Sequence, residues 1–198
     1  MNKIIFATKN KGKVREVKDI FSDSNFEIVS LADIDNTMEI EESADTFDGN
    51  AKIKADAVYE KFKIPVIADD SGISLEQLGG RPGVYSARYA GENATDEENN
   101  NKLIEELENY SEPHPAKYVC ASVYFDGVNF ITGYGEIKGE IIKTPKGTNG
   151  FGYDPYFVPV GYINTMAELP PKEKNSISHR AKAFNQLKEN IKKLKAKT

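Results

Sequence analysis

Short apolar runs that stop abruptly at polar, glycine-bearing loops constrain this chain more than any other feature. Lys3–Ala7 is one such run, and Thr8-Lys9-Asn10-Lys11-Gly12-Lys13 follows it at once. Val14, Val17, Ile20 and Phe21 then recur at helical spacing, so the segment predicts a buried strand, a loop and a helix in direct succession. Phe26–Ser30 reads as a second strand, and the acidic stretch Asp35–Asp45 is expected to hold a short strand and a loop. Thr46–Phe62 predicts a long amphipathic helix with Phe47, Ile53, Ala57 and Val58 among its core positions. Pro65–Ala68 is another apolar strand, ending in Asp69-Asp70-Ser71-Gly72.

Further along, Gly79-Gly80-Arg81-Pro82-Gly83 is too dense in turn residues to be anything but a loop. Thr95 and Glu98 have the spacing of a capping box, which predicts a helix running to about Asn109. Ala116–Phe125 and Asn129–Ile142 are β-rich and joined by a turn at Asp126-Gly127. Gly147–Pro155 is a second glycine-rich loop, and Asn175–Lys195 predicts a helix whose basic end is a solvated face. Alternating strands and helices followed by a β-ribbon imply an α/β fold on a mixed sheet, in one domain over residues 1–198.

Several function classes are disfavoured. A net charge of −5 argues against a general nucleic-acid binder, so any polyphosphate site must concentrate its positive charge locally. The single cysteine, Cys120, rules out an intrachain disulfide, and its apolar setting in Tyr118–Phe125 reads as a small buried hydrophobe. The N-terminal residues lack the apolar length of a signal peptide, and no stretch approaches the ~20 apolar residues of a membrane span. A cytoplasmic protein with no membrane partner is expected. With His114 and His179 the only histidines, and no HExxH or CxxC pattern, a zinc site is not expected. Neither a GxSxG elbow nor a GxxxxGK[ST] P-loop occurs.

Five segments carry groups suited to chemistry. Thr8–Lys13 puts three lysines and two uncharged hydrogen-bonding side chains ahead of a helix N-terminus, a setting that attracts anions; a polar turn with solvated lysines fits the segment equally well. Asp69 and Asp70 lie at a strand end, where α/β sheets place ligands, and neighbours on an extended chain point to opposite sides. One could face a site while the other braces the loop. Glu39-Ile40-Glu41-Glu42 offers a second carboxylate for Mg2+, a hard cation that prefers oxygen, or is simply an exposed acidic loop. Within Gly147–Pro155, Phe151 or Tyr153 could stack on a base. Lys174, His179 and Arg180 suit a phosphate or a purine carbonyl, although on this segment alone a structural role, as for a histidine at a helix start, is the favoured reading.

Taken together, Thr8–Lys13, Ala68-Asp69-Asp70-Ser71-Gly72, Gly79–Gly91, Gly150-Phe151-Gly152-Tyr153-Asp154-Pro155 and Ser176-Ile177-Ser178-His179-Arg180 occur in one order along the chain. That pattern resembles the inosine triphosphate pyrophosphatase family, the Ham1-like pyrophosphatases of non-standard purine nucleoside triphosphates. The resemblance spans essentially the whole chain. It implies an elongated, mixed-sheet, two-lobed fold with the nucleotide in the cleft between lobes, a homodimer, and a Mg2+ requirement. It further implies that Thr8, Lys9, Asn10, Lys11, Gly12 and Lys13 hold the triphosphate, that Asp70 is the proton acceptor for water and a metal carboxylate, and that Ser71 touches substrate. Phe151, Gly152, Tyr153 and Asp154 would form the base pocket with Lys174, His179 and Arg180. Glu42 resembles the second metal carboxylate, with Glu41 its neighbour.

The implied reaction converts ITP, dITP and XTP to the monophosphate and pyrophosphate. Selection would act through the 6-carbonyl, which accepts a hydrogen bond where adenine's amine cannot. The alternatives are a nucleotide pyrophosphatase of another base specificity or a non-catalytic nucleotide sensor. In one place the chain departs from the family. Ala44 stands where the family usually has Gly, and Gly49-Asn50-Ala51 replaces Glu-Asn-Ala.

Overall fold

The computed structural model describes residues 2–195. Among the described residues, six strands and six α-helices follow in the order β1 (Asn2–Phe6), α1 (Lys11–Ile20), β2 (Phe26–Ser30), α2 (Leu31–Ile34), α3 (Phe47–Phe62), β3 (Val66–Leu75), α4 (Asp96–Leu107), β4 (His114–Phe125), β5 (Phe130–Ile141), β6 (Phe157–Pro159), α5 (Pro171–Ile177) and α6 (His179–Lys195). Two short 3-10 turns, Glu76–Leu78 and Gly83–Arg88, lie between β3 and α4. The strand order is β2-β1-β3-β4-β5-β6; β1 pairs parallel with β2 and β3, and β5 antiparallel with β6, so the sheet is mixed. No helix among the described residues is long and apolar enough to cross a membrane.

The chain divides into two compact units. Among the described residues the first comprises 2–70, 120–135 and 179–195, and its strands are apolar on both faces because helices cover both. Ile4 and Phe6 of β1, Ile67 of β3 and Tyr124 of β4 pack with Val17 and Phe21 beside α1 and with Phe184, Leu187 and Ile191 of α6. Their alternating neighbours Ile5, Ala7, Val66, Ala68 and Val123 pack with Ala51, Ala55 and Val58 of α3. In the first part of β3, Ile67 therefore looks toward α1 and α6, and Val66 and Ala68 toward α3.

The second unit, residues 71–119 and 136–178, has a core of its own around Ile73, Leu75, Leu103, Leu107, Tyr118, Phe157 and Met166. Helix α4 is started by the expected capping box between Thr95 and Glu98.

Four expectations need correcting. Asp69 and Asp70 are not at a strand end but inside β3, because Ile73 and Leu75 continue the extended chain and are fully buried. No strand forms between residues 35 and 45; Asp35 instead accepts from the Thr37 amide at 2.9 Å in a local turn. Asn175–Lys195 is not one helix, since Ser178 is extended (φ −64°, ψ 150°) and separates α5 from α6. In α3 the buried stripe is Asn50, Ala51, Lys54, Ala55 and Val58, while Phe47, Ile53 and Ala57 are only half-buried.

Candidate active site

The predicted phosphate loop is shorter than its sequence suggests. Asn10 caps α1 by accepting from the Lys13 amide at 3.0 Å, so Lys11, Gly12 and Lys13 form the first helical turn rather than loop. Thr8 Oγ1 accepts from the Asn10 amide at 3.2 Å and shapes the approach. No acidic residue occupies this turn, which leaves the positive helix end uncompensated by its own side chains. Lys11 is exposed, and Lys9 reaches Glu39 at 2.7 Å.

Lys13 turns to β3 instead. Its Nζ lies 3.1 Å from Asp69 Oδ2, and Arg180 Nε lies 3.3 Å from the same oxygen. Arg180 also pairs with Glu16 of α1 at 2.6 Å and is 3% exposed. Cys120 Sγ sits 3.8 Å from Asp69 Oδ2; burial and that carboxylate push its thiol upward, which keeps it a buried, unreactive group as expected. Burial alone would raise the Asp69 pKa, but Lys13 and Arg180 outweigh it and hold the carboxyl well below its ordinary range. Asp69 is thus a brace that its cations keep ionised around neutral pH.

Asp70 faces the other way. Asn50 Nδ2 donates to its Oδ2 at 3.2 Å, and Lys54 Nζ lies 3.5 Å from its Oδ1. The same ammonium is 3.0 Å from Glu42 Oε1. Burial pushes the Asp70 pKa up, and Lys54 and Lys13 only partly offset this. Lys54 is desolvated too, yet Asp70 and Glu42 hold its pKa above the ordinary value. The two adjacent aspartates therefore have opposite properties, as alternation along a strand implies: cations hold the pKa of one down, and burial raises that of the other.

Asn50 also accepts from the Ala44 amide at 2.9 Å, which ties the Glu42 segment to α3. Sequence reading missed both Asn50 and Lys54. Their signal was present as two polar side chains at i and i+4 on the stripe shared with Ala51, Ala55 and Val58. Glu42, and not Glu41, is the residue that joins Asp70 through Lys54.

Among the described residues no group of three or more His, Cys, Asp or Glu side chains gathers as a metal site. A pair of carboxylates converging on one cation nevertheless fits Mg2+, which is commonly bound by one or two carboxylates plus waters and substrate phosphates.

The second unit organises the other predicted residues. Lys174 Nζ is 2.6 Å from Asp154 Oδ2, both side chains being buried. The same carboxylate accepts from the Phe151 amide at 2.9 Å, and Tyr118 Oη lies 3.4 Å from its other oxygen. Lys174 Nζ stands 4.9 Å from the centre of the Phe151 ring. Of the two candidate stacking aromatics, Tyr153 is spent on the core, being 5% exposed with its hydroxyl donating to the Ser86 carbonyl at 2.8 Å. Phe151 is the half-buried ring of the loop. Ser71 follows Asp70 in β3, whereas His179 belongs to the first unit, where it opens α6.

A profile of the Ham1 family matches residues 4–190. Among curated relatives, the dITP/XTP pyrophosphatase of Bacillus licheniformis is 49% identical over 94% of this chain and 96% of its own length. That of Bacillus subtilis is 48% identical over 94% and 96% respectively. Among solved structures, a HAM1 protein from Coxiella burnetii matches with a TM-score of 0.88 at 36% identity, covering 98% of this chain and 100% of that one. The Ham1 protein of Staphylococcus aureus gives a TM-score of 0.84 at 38% identity, covering 96% and 98%.

Proposed function

Because the chain belongs to the Ham1 family, we propose that it is a Mg2+-dependent pyrophosphohydrolase that converts ITP, dITP and XTP to the nucleoside monophosphate and pyrophosphate. Its role is to remove deaminated purines from the nucleotide pool. The observation that carries this reading is the buried Asp70, oriented by Asn50 and sharing the Lys54 ammonium with Glu42. Relatives named dITP/XTP pyrophosphatase support the choice of substrate. Family resemblance also supports a single-domain enzyme over residues 1–198, working as a cytoplasmic homodimer.

In this mechanism Asp70 orients a water toward the α-phosphorus and accepts its proton as the α–β anhydride bond breaks and pyrophosphate departs. A carboxylate is a weak base, so positioning contributes more than basicity. The raised pKa of Asp70 moves it in the useful direction. Bound at Glu42 and Asp70, Mg2+ would supply neutralisation of charge on the phosphate oxygens. Thr8, Lys9, Asn10, Lys11, Gly12 and Lys13 bind the triphosphate through the helix start and their cations. Ser71, the next residue along β3, touches substrate, as the family resemblance implies. Asp154, Lys174 and Phe151, with the Gly152 and Tyr153 backbone, recognise the base, and the family resemblance adds His179 as a further substrate-binding residue. Arg180 serves substrate from within the Asp69 network, by holding the brace that Lys13 leans on.

The test is phosphorus NMR of products from dITP, XTP, dATP, dGTP and dUTP with Mg2+. Pyrophosphate and monophosphate from the first two, with little from the rest, is the expected result. Orthophosphate would reject the cleavage site, equal use of all five the base selection, and tight dITP binding without turnover the enzyme reading itself.

A further inference from the structure

The base-recognition loop is held from outside by two residues of α4 that no motif includes. Gly152 donates its N–H to Asp96 Oδ2 at 2.7 Å, and its carbonyl accepts from Asn100 Nδ2 at 3.0 Å. Asp96 and Asn100 are four apart, so they lie one turn above the other on one face of the helix. Gly152 has φ +62°, a left-handed conformation that costs other residues energy. Its two flanking peptides are trans, so tying its N–H and carbonyl sets the tilt of both peptide planes, and with them the exits toward Phe151 and Tyr153.

We propose that Asp96 and Asn100 are positioning residues for base selection, acting on substrate through Gly152. The proposal rests on the base-site reading given above. Two features separate the clasp from ordinary helix packing. Asn100 is 7% exposed, and its Oδ1 is buried with no hydrogen-bond partner among the described residues. A flipped amide would set Oδ1 against the Gly152 carbonyl, so the loop dictates the orientation and leaves Oδ1 unsatisfied. Buried orphans of this kind are uncommon and call for a reason. The adjacent Asn99 does the same for a second loop, accepting from the Ala90 amide at 2.8 Å and donating to the Ala87 carbonyl at 3.0 Å. Successive residues of α4 thus hold two of the family's signature loops.

The test compares kcat and KM for dITP, dGTP and dATP in Asp96→Ala, Asp96→Asn and Asn100→Ala, with Glu97→Ala as control. Glu97 occupies the same first turn and shares the helix-end charge effect, but is exposed and does not touch Gly152. Asp96→Ala and Asn100→Ala should lower discrimination for dITP by about tenfold, mostly through KM. Asp96→Asn keeps an acceptor for the Gly152 N–H and should restore it, and Glu97→Ala should leave it unchanged. If Asn100→Ala folds poorly, the exposed Asp96 pair carries the test. Phe151→Ala and Asp154→Asn are measured alongside. If those two alter discrimination and the α4 variants do not, the clasp is rejected while the base site stands. If none of them alters it, the base-site reading falls and the clasp with it.

Discussion

Ala44 and Gly49 occupy one space: a Cβ on Gly49 would stand 2.6 Å from the Ala44 Cβ. The two departures from the expected family pattern therefore fall on one contact. The side chain that fills it belongs to Ala44, on the segment facing the helix, and Gly49 leaves the helix bare there. That segment lies two residues beyond Glu42 and is fastened to Asn50, so the fit controls how close the carboxylate segment lies to α3.

Gly49→Ala should consequently fail to stabilise α3. Helix propensity alone favours Ala over Gly by about 1 kcal/mol. Overpacking against Ala44 should cost about 1–3 kcal/mol and reverse the sign. With Ala44→Gly in the background, the same substitution should cost less, the remaining close contact being the Thr46 cap oxygen at 2.9 Å. Urea denaturation of the four proteins in a double-mutant cycle measures the coupling. Additivity would show that the two positions do not share the space.

Asp69→Asn and Asp70→Asn should fail in different ways. Removing the Asp69 charge leaves Arg180 and Lys13 without their shared partner in a buried setting, at about 3–5 kcal/mol. Asp70→Asn should keep the fold and lower kcat by roughly 10²–10⁴-fold. Thermal unfolding together with turnover of dITP separates them. Near-normal turnover in Asp70→Asn would reject its role as proton acceptor.

Acid sensitivity follows from Asp69. Its folded pKa lies below the unfolded value, so the stability it contributes is complete above the unfolded pKa and is lost as pH falls. The Tm difference between the parent protein and Asp69→Asn should narrow as pH drops from about 5 toward about 2. A gap that stays constant over that range would mean the carboxylate is not held by its cations.

Lys54→Met removes the ammonium that Glu42 and Asp70 share. Two carboxylates without a counter-charge should bind a divalent cation more tightly in the absence of nucleotide, while turnover falls. Mn2+ titration of the free protein by calorimetry provides the affinity. Weaker Mn2+ binding would show that Glu42 and Asp70 do not form the cation site.

Much of this site could be read from apolar spacing. The run Lys3–Ala7 followed by Val14, Val17 and Phe21 led correctly to strand, loop and helix. The opposition of Asp69 and Asp70 followed from alternation alone. The extension of β3 was not legible, because Asp69-Asp70-Ser71-Gly72 reads as a turn when the burial of Ile73 and Leu75 is unknown. Asn50 and Lys54 were hidden by the convention that polar helix residues face water, which fails where a helix supplies groups to a buried carboxylate. The clasp of Gly152 by α4 joins segments more than fifty residues apart, and periodicity has no view of such pairs.

The doublet Asp69-Asp70 holds one more implication. Chemically the two residues are the same, so nothing in them says which should be brace and which reactive group. A slip of β3 by one place would still leave an aspartate at one of the two positions, with Ala68 or Ser71 at the other. What forbids it is Ile67, aligned with Phe6 in the parallel pairing and filling the α1–α6 side, and Ala68, small enough for the α3 side. The identity of the reactive carboxylate is thus decided by the shapes of its hydrocarbon neighbours, and a substitution at position 67 or 68 can misassign the chemistry without touching either acid.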